Sequence, residues 1–150
     1  MKTTSCIIFF LFLFLNISTG IGQQLPGNTL QNNPWNTNQL LQPTALINLM
    51  KTDKNVIVYN IGVVQDIKGA RHIGAASEKE KLQLLNTILK TQDKNKTVVV
   101  YCGCCPFDKC PNIRPAFKTL QANNIKKAYL LNLPTNLKTD WIAKGYPLAD

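Results

Sequence analysis

Four cysteines lie within nine residues, directly after an apolar run that is typical of a buried strand. The run covers residues 97–101, and Cys102, Cys104, Cys105 and Cys110 follow it. Thiols spread along a chain suggest a disulfide framework, whereas thiols gathered where a strand ends suggest chemistry. Cys102 comes first after the strand, so it is the candidate nucleophile.

A proline fixes where the helix after this loop begins. Proline has no amide hydrogen and is tolerated only in the first turn of a helix. Pro115 therefore places the helix start no earlier than about Asn112, which is a good N-cap residue. Arg114 then belongs to the first turn, beside the partly positive end of the helix dipole. Strand end, thiol and helix start together predict an anion-binding pocket above Cys102 that lowers the thiol pKa.

Helices and strands are predicted to alternate along the rest of the chain. Apolar β-branched runs and short extended segments predict strands at residues 56–62, 69–74, 97–101 and 128–133. Apolar periodicity predicts a first helix from Pro43 and a second that begins at a Ser77–Glu80 capping box and runs to about Lys90. A third helix is predicted to pass through Phe117 and stop at Asn123, and a short fourth helix to cover about residues 140–144. Such alternation predicts a single α/β domain, a central, mostly parallel sheet with helices on both faces.

The first 22 residues have the pattern of a secretory signal peptide. Lys2 precedes an uncharged apolar run at residues 7–15, and Gly20 and Gly22 supply small residues for cleavage after Gly22. The run is shorter than the roughly 20 residues that a membrane span needs, so no stable membrane anchor is expected. Residues 23–38 are rich in Asn, Gln, Gly and Pro and predict a flexible lead-in, with Trp35 packed onto a domain of residues 39–150. The protein is predicted to be exported, either periplasmic or secreted.

The charge balance narrows the class of partner. Lys and Arg number 17 against 8 Asp and Glu, a net charge of +9. The electric field of this positive charge attracts small anions, although scattered lysines are also typical of a solvated surface. No pattern of aromatic and basic residues suited to base stacking occurs, so nucleic acid is not an expected partner.

In their order along the chain, these segments resemble a rhodanese-family sulfurtransferase domain. The match is carried by VVVYC, VIVYNIG, IKGARHIG and DWIAKGYPL, and it covers about residues 40–148. The resemblance implies a rhodanese-like fold in which Cys102 takes up sulfane sulfur as a persulfide. The donor would be a small anion such as thiosulfate or another persulfide, and the acceptor a thiol. No cofactor and no metal are implied.

The resemblance also implies that the loop after Cys102 holds the transferred sulfur, with backbone amides of residues 103–109 around it. The candidate loop and binding residues are Gly103, Cys104, Cys105, Phe107, Lys109, Cys110 and Arg114. Two features depart from the family pattern. The family's loop arginine commonly lies closer to the cysteine than Arg114 does, and the usual Asp-x-Arg at the end of the early strand is replaced by Tyr59-Asn60-Ile61-Gly62.

Three alternatives remain open for the cysteines. Structural disulfides, expected in an oxidising compartment, would make the protein a non-catalytic binding module. The C-x-x-C of residues 102–105 is also typical of a thiol–disulfide redox protein. Too few strands and helices follow it, however, for the order of elements in a thioredoxin-like fold. Four thiolates could also suit zinc or copper(I), but zinc sites normally use two separated cysteine pairs. His72, the only histidine, is expected to be structural because no carboxylate partner is obvious nearby in sequence.

Overall fold

The computed structural model describes residues 35–150, and helices and strands alternate within them as predicted. The strands are β1 (Leu40–Leu41), β2 (Val56–Asn60), β3 (Ala70–His72), β4 (Thr97–Tyr101) and β5 (Lys127–Leu131). The helices are α1 (Pro43–Thr52), α2 (Lys79–Thr91), α3 (Ile113–Ala122) and α4 (Leu137–Asp140). Two short 3-10 helices cover Thr37–Gln39 and Ile142–Lys144.

The five strands form one parallel sheet in the order β1-β5-β4-β2-β3. β4 lies at the centre, with β2 on one side and β5 on the other. The fold is thus the predicted single α/β domain. Because all the strands run the same way, their carboxyl ends meet at one edge of the sheet, where α/β proteins bind their ligands. The residue that follows β4 at this edge is Cys102.

Every residue of β4 is buried, and its side chains alternate between two hydrophobic clusters. Val98, Val100 and Cys102 belong to the cluster that includes buried residues of α2 and α3. Val99 and Tyr101 belong to the opposite cluster, which includes residues of α1 and α4. Successive side chains of a strand point to opposite faces, so helices cover both faces of the sheet as predicted. Cys102 faces the side of α2 and α3.

The predicted start of α2 is wrong by one residue. The helix begins at Lys79 with Glu78 as its N-cap, and no side chain caps it. The Ser77–Glu80 capping box is not formed because Ser77 lies outside the helix, where its amide donates to Asn112 Oδ1 at 2.8 Å. Burial of Leu85 and Leu89 against the sheet anchors the helix instead. Each buried leucine contributes about 1.5–3 kcal/mol, more than a typical cap.

The C-terminal part differs in detail from its prediction. The single helix expected at residues 140–144 is two pieces, α4 and the 3-10 helix Ile142–Lys144, with Trp141 between them. Trp141 is buried, and its indole nitrogen donates to the carbonyl of Pro147 at 3.0 Å. A continuous helix would not leave Trp141 with φ of −124°. The stop at Gly145 is as predicted, in the left-handed region with φ of 72°.

The N-terminal predictions fall largely outside the described residues. The predicted signal peptide (1–22) and the lead-in up to residue 34 are not described. Trp35 packs edge-on against Phe117 of α3 with ring centroids 4.9 Å apart, as predicted. Asn36 and Gln39 form a capping box on the first 3-10 helix. Among the described residues, none of the helices has the length and apolar character of a membrane span.

Candidate active site

The end of β4 holds Cys102 in place, with only 1% of the residue exposed. The next residue, Gly103, has φ of 71°, a left-handed conformation that favours glycine. A side chain there would also bring its Cβ within 2.9 Å of the Leu137 Cβ. The Gly103 carbonyl accepts a hydrogen bond from the Leu137 amide at 2.8 Å, which ties the loop to α4. The chain therefore turns sharply directly after the candidate nucleophile.

Several hydrogen-bond donors converge on the Cys102 sulfur. Asn112 Nδ2 lies 3.1 Å from it, and the Cys104 sulfur lies 3.2 Å from it. The Cys110 sulfur lies within 4.8 Å of it. Interaction with the Cys110 thiol has the largest effect, and together with Asn112 and Cys104 it outweighs burial and lowers the pKa of Cys102 to about 5. Cys102 is therefore a thiolate at neutral pH, the reactive form of a cysteine.

The neighbouring thiols keep their protons. Partial desolvation of its sulfur by the surrounding loop, followed by hydrogen bonds to Cys102 and Cys105, raises the pKa of Cys104 to about 12. The pKa of Cys110 is raised far above its usual range, first because its proton is held by Cys102 and second because it is buried. Of these three thiols, Cys102 therefore holds the negative charge at neutral pH.

The four cysteines of the loop are free thiols in this structure. The sulfurs of Cys104 and Cys105 lie 3.3 Å apart and are not joined by a disulfide bond. Those of Cys102, Cys104 and Cys110 all lie within 4.8 Å of one another, close enough for a soft metal ion. We assign no metal ligand here, because the groups around Cys102 are donors directed at a single anionic sulfur.

Asn112 has a different role from the predicted one. It occupies the N-cap position of α3, but with helical φ and ψ of −80° and −32° and no capping bond from its side chain. The amide instead donates to Cys102 from Nδ2 and accepts from the Ser77 amide at Oδ1. Asn112 is the N-cap residue of α3 as predicted, but its side chain makes no capping bond because the Cys102 sulfur and the Ser77 amide satisfy both of its ends. A polar residue at the helix start that follows a nucleophile's loop is the sequence signal for this role.

Gly62 was not identified from the sequence, although it lies against the nucleophile. A Cβ at this position would stand 2.7 Å from the Cys102 sulfur and 2.6 Å from the Cys102 carbonyl oxygen. Both distances are far below ordinary van der Waals contact. Only glycine lets the chain after β2 pass this close to Cys102. Its position two residues beyond a strand that neighbours β4 is the signal that could have revealed it.

A polar cluster at the end of β2 holds the Gly62 turn. Asn60 is fully buried, and its Oδ1 accepts the Gly62 amide at 3.0 Å. Its Nδ2 donates to the Val64 carbonyl at 2.7 Å and to Asp66 Oδ1 at 2.8 Å. Asp66 Oδ1 in turn lies 3.0 Å from His72 Nδ1. The statement that His72 has no carboxylate partner was therefore wrong, while its expected structural role agrees with this cluster.

The predicted loop residues divide into two groups. Cys104 and Cys110 lie beside the Cys102 sulfur, Cys105 contacts Cys104, and Gly103 forms the turn. Phe107 is 9% exposed and packs in the hydrophobic cluster that contains Cys102. The Lys109 amide donates to the Pro106 carbonyl at 3.0 Å, so it closes a turn and does not bind the sulfur.

Arg114 does not contact the nucleophile, contrary to the pocket expected from its place in the helix. Its Nη2 donates to the carbonyl of Asp108 at 2.9 Å. The side chain lies in a depression shared with Trp35 and Phe117, which does not include Cys102. Arg114 therefore fixes the far part of the loop, and neutral donors take the place of a guanidinium at the sulfur.

Comparison with known proteins shows similarity at the level of the fold. No protein-family model and no curated protein matches the sequence. Two solved structures of EanB are similar to the chain. One is a Tyr-to-Phe variant bearing a cysteine persulfide, in a tetrahedral intermediate state with ergothioneine, at a TM-score of 0.53 and 14% identity over 73% of this chain. The other is wild-type EanB, with a TM-score of 0.52 and 16% sequence identity over 74% of this chain. The chain spans about a quarter of EanB's length (27%), and the rhodanese-like resemblance stays a prediction.

Proposed function

We propose that this protein is a rhodanese-like sulfurtransferase that carries sulfane sulfur as a persulfide on Cys102. One observation carries the proposal: Cys102 directly follows the central strand, and Asn112, Cys104 and Cys110 lie around its sulfur and favour the thiolate. Donors fixed around one sulfur stabilise negative charge without reorganisation, whether the charge is on a thiolate or on a persulfide. A buried structural cysteine needs no such arrangement.

The reaction consists of two displacements and needs no external oxidant or reductant. The Cys102 thiolate attacks the sulfane sulfur of thiosulfate, the sulfur–sulfur bond breaks, and sulfite leaves with the electron pair. The terminal sulfur of the resulting Cys102 persulfide is then attacked by an acceptor thiolate. The bond to Cys102 breaks, its electron pair returns to Cys102, and the acceptor becomes the persulfide. Cys102 is a good leaving group in this step because its thiol pKa is low, about 5.

The similarity to EanB supports persulfide chemistry on this fold, since one of the solved EanB structures carries a cysteine persulfide. Attraction of the donor is assigned to the net charge of +9 because Arg114 does not face the sulfur. Export to the periplasm or the medium, which rests on the signal-peptide pattern of residues 1–22, is part of the proposal.

Treatment of the reduced protein with thiosulfate, followed by mass spectrometry of the loop peptide, tests the proposal. We expect one added sulfur on Cys102, which cyanide removes as thiocyanate. Cys102→Ser should take up none, whereas the matched variant Cys105→Ser should take up sulfur like the wild type, because Cys105 contacts Cys104 and not Cys102. Full uptake by Cys102→Ser, or a protein that only forms disulfides within the loop, would reject the assignment in favour of a redox or structural loop.

A further inference from the structure

The loop places a buried sulfur next to an exposed one. Cys102 is 1% exposed, whereas Cys104 is an exposed residue. Their sulfurs are 3.2 Å apart. A small anion and a thiol on another protein differ greatly in their access to such a site. A protein thiol cannot reach a sulfur held behind Cys104 and below the surface, but it can reach Cys104 itself.

We propose that Cys104 is a second sulfur carrier, which takes the terminal sulfur from the Cys102 persulfide and presents it at the surface to the thiol of a partner protein. This inference rests on the proposed persulfide at Cys102. It assigns the acceptor to a class, a protein thiol, and gives the exposed cysteine of the loop a role in the reaction.

The relay step conserves atoms and charge. The Cys104 sulfur attacks the terminal sulfur of the Cys102 persulfide and forms a new sulfur–sulfur bond. The bond between that sulfur and Cys102 breaks, and its electron pair stays on Cys102. The Cys104 proton passes to the departing Cys102 sulfur along the contact that the two thiols already make. The persulfide that is attacked carries a proton on its terminal sulfur, so the products are a neutral Cys104 persulfide and a Cys102 thiol, which then loses its proton to water.

The backbone between the two cysteines favours this transfer. Gly103 has φ of 71°, and this turn brings the two sulfurs within 3.2 Å of each other. A sulfur–sulfur bond is about 2.05 Å long, so the added sulfur lies between Cys102 and Cys104 once the exposed Cys104 side chain turns outward to admit it. An intramolecular thiol at this distance has a large advantage over one in solution.

The acidities of the two thiols set the direction of transfer. A thiol of lower pKa leaves more readily, and one of higher pKa is the stronger nucleophile once it loses its proton. Cys102 is the more acidic of the two thiols, so it is the better leaving group. This acidity and the 3.2 Å approach of the sulfurs favour outward movement of sulfur, from Cys102 to Cys104.

Two variants and two acceptors test the relay. The full-length wild type, Cys104→Ser and Cys105→Ser are each loaded from thiosulfate and then given either cyanide or a reduced single-cysteine protein. Cyanide is small enough to act on Cys102 directly, so thiocyanate formation reports the loading and reactivity of Cys102 in each variant, including any effect of the lost Cys104 contact. The ratio of protein-thiol transfer to thiocyanate formation should fall at least about tenfold in Cys104→Ser, because the intramolecular carrier is lost. Cys105→Ser is the matched control and should keep the wild-type ratio.

The outcomes separate the relay from the proposed function. Absence of added sulfur in the wild type would overturn both. Normal loading with an undiminished ratio in Cys104→Ser would overturn the relay alone. Fragmentation of the loaded wild-type loop peptide provides a second readout that does not depend on a variant. Added sulfur on both Cys102 and Cys104 supports the relay, whereas added sulfur confined to Cys102 while the protein thiol is being loaded overturns it.

Discussion

Replacement of Asn112 by leucine tests whether hydrogen bonds hold the charge on Cys102. Leucine has the same number and branching of side-chain heavy atoms as asparagine but neither donor nor acceptor. The change removes the 3.1 Å bond to the Cys102 sulfur and the 2.8 Å bond from the Ser77 amide. Asn112 is only 5% exposed, so water cannot replace the lost donor at this position.

The size of the effect follows from this single contact. A hydrogen bond to a charged group contributes about 1.5–3 kcal/mol, and one pKa unit corresponds to about 1.4 kcal/mol. Loss of the Asn112 donor should therefore raise the pKa of Cys102 by about 1–2 units, from about 5 to about 6–7. The Cys110 thiol, which has the largest effect on this pKa, remains and keeps it below that of an ordinary cysteine.

Thiolate absorbance in the ultraviolet, measured against pH with the spectrum of Cys102→Ser subtracted, reports this pKa directly. The midpoint should lie near pH 5 in the wild type and about 1–2 units higher in Asn112→Leu. Asn123→Ala is the matched control, because Asn123 follows the other end of α3 and bonds Asn86 and Thr119. Its midpoint should equal that of the wild type. A folded Asn112→Leu variant with an unmoved midpoint would refute the argument that this amide stabilises the charge.

Two further predictions concern the packing and the titration of the site. Gly62→Ala should lose about 1–3 kcal/mol of stability in denaturant titrations and most of its sulfur uptake, because the new methyl group must displace Cys102. Gly145→Ala is the control and should keep its sulfur uptake, because its methyl group meets nothing within 4 Å. Unchanged stability and uptake in Gly62→Ala would show that the contact between residue 62 and Cys102 is not tight. The second prediction is that stability rises with pH from about 5 to about 8.5, because the unfolded chain then holds a proton that folded Cys102 has lost. The slope is at most about 1.4 kcal/mol per pH unit and reverses at higher pH, where Cys104 and Cys110 keep protons that the unfolded chain loses. Denaturant titrations under reducing conditions would measure it, and an equal rise in Cys102→Ser would assign it to other groups.

The elements that position the site could be predicted because their signals are local. β4 has the predicted bounds because five consecutive apolar or β-branched residues lie between a polar turn and a cysteine loop, a pattern typical of a short buried strand. Pro43 begins α1 as predicted, since proline favours the first turn. The two-residue β1 was missed because so short an edge strand has no periodicity of its own. It forms because Leu40 and Leu41 pair with β5.

The residues around the sulfur could not be predicted in the same way, because their roles depend on how distant segments meet. Gly62 contacts Cys102 only because β2 pairs with β4 in the register that sets Asn60 opposite Tyr101. Asp66 and His72 meet because β3 returns beside β2. A sequence shows which strands exist, but strand order and register decide which of their ends become neighbours.

The position of Arg114 shows how the site stabilises its charge. A cation at the start of α3 was expected to hold the anion, yet Arg114 bonds the Asp108 carbonyl and the sulfur is surrounded by neutral donors. A guanidinium attracts any anion in the pocket, whereas short hydrogen bonds to a single atom stabilise charge only at that atom. The donors belong to the cysteine-rich loop and to Asn112 at its end, so neutral groups take the place of the cation expected at the helix start. Cys104 and Cys110 are therefore part of the charge-stabilising structure of the site, and Cys104, the exposed one of the two, is the residue to which the proposed relay assigns the sulfur.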